Sequence, residues 1–297
     1  MPRSIAIFTK TYRADLTAFA ELCDSIDFFM PNTRHIVAVD TCDLELFQRF
    51  AKPNRELVDC GKFLPGLHEF SLFGRRLWFT RSGRIVRGWI HQQLAKLAII
   101  AGLDVQAVVI VDSDARFVAP LDLAGIFDGE RVRMFHKPGA PSGPPEQSPK
   151  WHDAAAYALG LPIRGYTGAD YISGAVIWSP DVVRAMLRHI EISHDGEWLT
   201  PLLKPLRISE YVLYGVFCDH VNGPHRELIS PTLAELAHCS WDYDFGQSGG
   251  VEQFISELPC DASAVLVQSN LKMPAARRQE IFTAMAERRS LLAATHT

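Results

Sequence analysis

The 297 residues contain no Cys-x-x-Cys pair, no His-x-x-His or His-Glu-x-x-His pair and no Cys/His cluster at zinc spacing. These absences exclude the common zinc modules, zincin proteases and dithiol redox centres. The eleven histidines receive no metal role, and the six cysteines (Cys23, Cys42, Cys60, Cys218, Cys239, Cys260) are scattered. That usage fits reduced, structural thiols in a cytosolic protein. Long apolar runs are also missing. The opening Ile5-Ala6-Ile7-Phe8 falls far short of the roughly 20 residues of a membrane span and reads as a strand, not as a signal segment. A basic surplus is absent too: 30 Lys and Arg stand against 34 Asp and Glu, so no field exists to hold a nucleic-acid backbone, and no nucleic-acid partner is expected. No internal repeat is present.

What is present is an ordinary globular composition, 47% hydrophobic, 10% aromatic and 22% charged, which excludes disordered, collagenous and coiled-coil chains. A chain of this length buries roughly 75% of its unfolded surface, enough for one large core. After Phe8 comes a polar turn, Thr9 to Asp15, then Leu16, Phe19, Ala20, Leu22 and Cys23 at helical spacing. A second apolar run, Ile36 to Val39, ends at Asp40. The pattern Leu44 to Phe47 reads as helix and Glu56 to Asp59 as a third strand. Residues 61–87 are rich in Gly, Arg and aromatics without clear period and read as an excursion covering a site. Within it Arg75, Arg76, Arg81, Arg84 and Arg87 form a basic cluster.

Between Gly88 and Gly102, Ile90, Leu94, Leu97 and Ala101 make one helical stripe. The continuous apolar strand Ala107 to Val111 follows, of the kind covered by helices on both faces. Alternating strands and helices imply right-handed crossovers and a mostly parallel sheet. Residues 137–149, rich in Pro and Gly, read as a mobile loop. Beyond them come a short helix near Trp151 to Leu159, a strand at Gly174 to Trp178, helices from Pro180 and Ser209, a strand at Ala264 to Gln268 and a helix after Pro274.

Ligands of open α/β sheets sit beyond the carboxyl ends of the strands. Those ends are Thr9-Lys10, Asp40 and Asp112-Ser113-Asp114. Two carboxylates at i and i+2 on a tight strand exit can converge on one hard cation, Mg²⁺ or Mn²⁺, while leaving room for phosphate oxygens. Asp is also a common turn and cap residue, so the bare pattern has a structural reading as well. On the helix before that strand, Trp89, Gln92, Gln93 and Lys96 share a second face, suited to gripping a polar ligand. Glu210, N-capped by Ser209, lies on a face with Tyr214 and Phe217. Partial desolvation there would raise its proton affinity toward that of a general base. Small residues in Tyr171-Ile172-Ser173-Gly174 would let a ligand approach the backbone, and a simple loop-to-strand junction is an equal reading.

These five segments, the Thr-Lys-Thr-Tyr strand, the Gly88-Trp89-x-x-Gln92-Gln93-x-x-Lys96-Leu97 helix, Asp112-Ser113-Asp114, Tyr171 to Gly174 and Ser209-Glu210-Tyr211-x-x-Tyr214-Gly215, together resemble bacterial glycosyltransferases of the GT-A type. The resemblance covers roughly residues 3–270. It implies a single GT-A (Rossmann-like) domain over 1–270, α/β with a mostly parallel central sheet flanked by helices, the donor half at about 1–120 and the acceptor side at about 121–270, with 271–297 a helical tail. It further implies a nucleoside-diphosphate sugar donor, a glycan or lipid-linked acceptor, bacterial surface polysaccharide synthesis and a bound Mn²⁺ or Mg²⁺. By that likeness Asp114 is the direct metal ligand and Asp112 a metal or ribose contact, with Ser113 between them. Thr9, Tyr12 and Asp40 hold the nucleoside, and Lys96 or Lys10 meets the diphosphate. Trp89, Gln92, Gln93, Tyr171, Ser173 and Gly174 complete the donor contacts, and Glu210 deprotonates the acceptor. Gln268-Ser269-Asn270 stands where such enzymes often supply another ligand, without their usual His. The alternatives are a nucleotidyltransferase, whose Gly-rich signature Thr9 to Arg13 lacks, and an inactive sugar-nucleotide-binding protein. The setting expected is cytoplasmic; the mildly amphipathic, basic stretch Arg277 to Arg289 reads first as a packed terminal helix, and at most as a peripheral contact with a membrane.

Overall fold

Runs of apolar residues long enough to be buried on both faces build the central sheet. In the computed structural model, which describes residues 3–72, 75–271 and 273–295, the first strand, Ile5–Thr11, pairs in parallel with Arg34–Val39 and with Ala107–Val111. Arg55–Asp59 extends the parallel run outward. Ala175–Trp178 closes the opposite edge antiparallel to Ala107–Val111. The fold is thus mixed α/β with a mostly parallel five-stranded sheet, and smaller sheets surround it.

Alternation along the strands divides the core. Ala6, Phe8, Ile36 and Ala38 face one layer with Ile90, Leu94 and Leu97 of the helix Gly88–Ala101 and Val183 and Met186 of the helix Pro180–His194. Ile7, Val37 and Val39 face the other, against Phe19, Leu22 and Ile26 of the helix Leu16–Phe29. Each of the larger of these side chains contributes roughly 1.5–3 kcal/mol when buried. A third cluster takes Ile281, Phe282 and Met285 from the last helix, Ala275–Thr295. That helix is packed into the body beside Val118 and Phe254. Among the described residues, no helix is long and apolar enough to cross a membrane, and the six cysteines are free.

The excursion after the third strand is regular, which its composition concealed. Leu67–Leu72, Arg75–Thr80 and Ile85–Arg87 form an antiparallel three-stranded sheet. Leu67, Trp78 and Val86 are buried while Leu72, Phe79 and Ile85 are exposed, so no clean apolar alternation marks the strands.

One close approach fixes the Glu210–His220 helix. A Cβ on Gly215 would come within 2.1 Å of the Tyr171 ring, and Tyr171 Oη is held by donating to Asp219 Oδ2 at 2.6 Å. Gly215→Ala should therefore cost about 1–3 kcal/mol through overpacking, read as a lower urea midpoint. An unchanged midpoint would show that the ring can yield.

Candidate active site

A cavity of about 1390 Å³ opens at the carboxyl ends of the central strands. The first strand reaches Thr11, three residues past its apolar run, and its alternation selects Lys10, followed beyond the strand by Tyr12, for the cavity wall. Thr9 is not among the lining residues: it is fully buried, its Oγ1 3.1 Å from His35 Nε2. The expected nucleoside contact at Thr9 is thereby corrected, because its side chain points into the sheet's other layer.

Lys10 is not free to meet a phosphate. Its Nζ lies 2.9 Å from Asp40 Oδ1 and donates to the Thr11 carbonyl at 2.9 Å. Arg76, from the three-stranded sheet, reaches Asp40 at 3.2 Å and Asp43 at 2.8 Å, and Arg13 donates to Asp43 at 2.6 Å. Burial opposes the charge on Asp43, yet the bonds from Arg13 and Arg76 hold its carboxyl below the usual carboxylate range. His91 stacks on Trp78 with ring centroids 4.0 Å apart. Burial pushes His91 down to about 4, so it stays neutral beside Asp40.

A second network lies across the cavity. Lys96 Nζ sits 2.9 Å from Glu210 Oε1 and 3.4 Å from Asp112 Oδ1, and donates to Tyr211 Oη at 2.9 Å. Burial disfavours its ammonium, but Glu210, Tyr211 and Asp112 outweigh burial and hold Lys96 well above its usual range. Glu210 begins its helix: its backbone N–H donates to Gln93 Oε1 at 2.9 Å, and Ser209 Oγ accepts from Val212 N, satisfying two donors that a helix start leaves open. Glu210 was expected to be desolvated by Tyr214 and Phe217. It is buried, but against the Lys96 ammonium, so an ion pair stands where aromatic desolvation was expected.

The two aspartates flank Ser113, whose hydroxyl donates to Asp15 Oδ2 at 2.8 Å. Asp114 Oδ2 accepts from Ser269 N at 2.8 Å, and the Asp114 carbonyl accepts from Arg278 of the last helix. Burial and then the charge of Asp112 push the Asp114 carboxyl up to about 6. Seven carboxylates and five Lys or Arg side chains line the cavity. That surplus of negative charge would repel a diphosphate unless a cation offset it. Asp112 and Asp114 are the carboxylates at this strand exit that could hold a hard divalent ion. Among the described residues no third His, Cys, Asp or Glu joins them in a metal-holding group.

Tyr12, Asp40, Trp89, Gln92, Gln93, Lys96 and Ser113 all line the cavity. Tyr171, Ser173 and Gly174 do not. Tyr171 is turned toward Asp219, Ser173 Oγ donates to Glu235 at 2.9 Å, and Gly174 is wedged against Cys239 and Leu266. The alternate residues Asp170 and Ile172 face the cavity instead. Gln268 lines it, while the side chains of Arg75 and Asn270 lie outside the described residues. Sequence reasoning missed Asp15, Trp78, Lys137, Trp151, Trp241 and Asp242. One signal was available, since four of the chain's six tryptophans line this cavity.

A family model described as a family of unknown function (DUF6492) matches residues 4–286. No curated protein matches the sequence.

Proposed function

The chain belongs to the DUF6492 family, and from its site we propose a metal-dependent glycosyltransferase that moves a sugar from a nucleoside-diphosphate sugar to an acceptor hydroxyl. The observation that carries this reading is the pairing of two acidic stations in one cavity. Asp112 and Asp114 stand at a strand exit, and Glu210 stands on a helix start, with Lys96 between them. The sheet order, with the third, second and first strands followed by Ala107–Val111 and an antiparallel edge, supports a GT-A-like domain. A cytoplasmic setting, with at most peripheral membrane contact, suits such a donor.

Asp112 and Asp114 would hold Mn²⁺ or Mg²⁺, and the ion would supply Lewis-acid stabilisation of the diphosphate leaving group. Tyr12, with the Lys10–Asp40–Arg76 network beneath it, would seat the nucleoside end. Glu210 takes the proton of the acceptor hydroxyl as its oxygen bonds to the sugar's anomeric carbon. The bond from that carbon to the phosphate oxygen breaks, and its electron pair leaves with the nucleoside diphosphate. Lys96, 2.9 Å from Glu210 Oε1, orients that carboxylate beforehand, a positioning role.

The same Lys96–Glu210 pair also favours a second reading, a sugar-nucleotide-binding protein without turnover, because it occupies the base. Binding comes first in either case. A thermal-shift screen of nucleoside diphosphates with and without Mn²⁺ should give a metal-dependent shift, equivalent to about 2.7 kcal/mol at 100 times the dissociation constant. A shift that does not depend on the metal would count against the metal-dependent transferase, and none with any nucleotide would count against both.

A further inference from the structure

Gln93 is only 3% exposed, lines the cavity and spends its Oε1 on the Glu210 backbone, yet its Nε2 has no partner among the described residues. A buried donor in a cavity wall is complemented by an acceptor atom on a ligand. One turn earlier on the same helix face stands Trp89, half exposed, its ring stacked on Trp151 with centroids 5.8 Å apart and planes 29° from parallel. The loop before Trp151 can pass close to that indole because residue 143 is glycine: its φ is +65°, and a Cβ there would come 2.7 Å from the ring atom Cζ3. Trp151 rides on the helix Ser148–Ala158, which packs against the Glu210–His220 helix. The aromatic shelf therefore stands on the Glu210 side of the cavity.

An apolar shelf, an unpaired amide donor beside it and a carboxylate at its end match a molecule with one apolar face and a hydroxylated rim. A pyranose ring has that form, with C–H bonds on its face and hydroxyls around its edge. We infer that the acceptor is a saccharide whose ring lies on Trp89 and Trp151, with one hydroxyl oxygen accepting from Gln93 Nε2 and the neighbouring hydroxyl directed to Glu210. This deepens the transferase reading and rests on it. A lipid chain would fill the shelf but leave Gln93 unpaired. A nucleobase would stack there too, and the test separates it.

The test is saturation-transfer NMR and calorimetry with methyl glucopyranosides, galactopyranosides and mannopyranosides and their disaccharides, with nucleoside diphosphate and Mn²⁺ present. At least one saccharide should bind. Trp151→Ala should weaken it tenfold or more while nucleoside-diphosphate affinity stays within twofold, and Trp151→Phe should recover part of the loss. Nucleotide binding without binding of any saccharide in the panel overturns the saccharide inference and spares the transferase reading. Loss of nucleotide affinity in Trp151→Ala assigns the shelf to the base and also overturns it. Saccharide binding that needs Trp151, in a protein that binds no nucleotide, keeps the subsite and removes the transferase.

Discussion

Asp114→Asn is expected to remove the Mn²⁺ dependence of nucleoside-diphosphate binding and to weaken that binding by about 10²-fold. Asparagine keeps the shape and an oxygen that can accept from Ser269 N, as Asp114 Oδ2 does at 2.8 Å. What it loses is the anionic ligand beside Asp112, and supporting changes around metal ligands already cost 10–100-fold. The wall left behind would still hold more carboxylates than cations, with both Lys10 and Lys96 committed to ion pairs. Calorimetry with and without Mn²⁺ reads both quantities, and unchanged affinity with unchanged metal dependence would remove Asp114 from the site.

Glu210→Gln is expected to lower turnover by about 10²–10⁴-fold, the usual loss on removing a general base, with donor affinity held within twofold. Unlike a surface substitution, it should also cost stability. Lys96 would lose the carboxylate at 2.9 Å and keep only Asp112 at 3.4 Å and Tyr211 Oη. Stranding a buried charge costs about 3–5 kcal/mol, and the remaining partners should offset part of that. The double variant Lys96→Met with Glu210→Gln should recover stability without recovering turnover. Measuring kcat, donor affinity and urea midpoint separates the roles. Full activity in Glu210→Gln would leave Glu210 only its place in the first turn of the helix, where the dipole favours an acid, and a stable single variant would show that the ion pair carries little.

The central strands were legible because Ile36 to Val39 and Ala107 to Val111 are apolar at every position, and the helix after Gly88 because Ile90, Leu94 and Leu97 repeat at its period. Facing was harder. Thr9 and Lys10 are adjacent, and one residue of phase decides which side chain enters the cavity. The same phase separates Asp170 and Ile172, which line it, from Tyr171 and Ser173, which do not. Arg76 and Trp78 were hidden because they arrive on a hairpin whose strands lack alternation. The partners of Lys10 and Lys96 were invisible for a different reason. An ion pair between positions 96 and 210 is a product of tertiary packing, and local sequence carries no trace of it.

The central claim is that a divalent cation on Asp112 and Asp114 seats a nucleoside diphosphate in this cavity. Anomalous diffraction at the manganese edge, from crystals grown with a nucleoside diphosphate and Mn²⁺, tests it most directly. The account predicts a manganese peak within bonding distance of carboxylate oxygens of Asp114 and Asp112, bridged to the diphosphate, with the nucleoside toward Tyr12. A diphosphate seated on Lys10 and Arg76 with no manganese beside it, or manganese bound elsewhere, would contradict it.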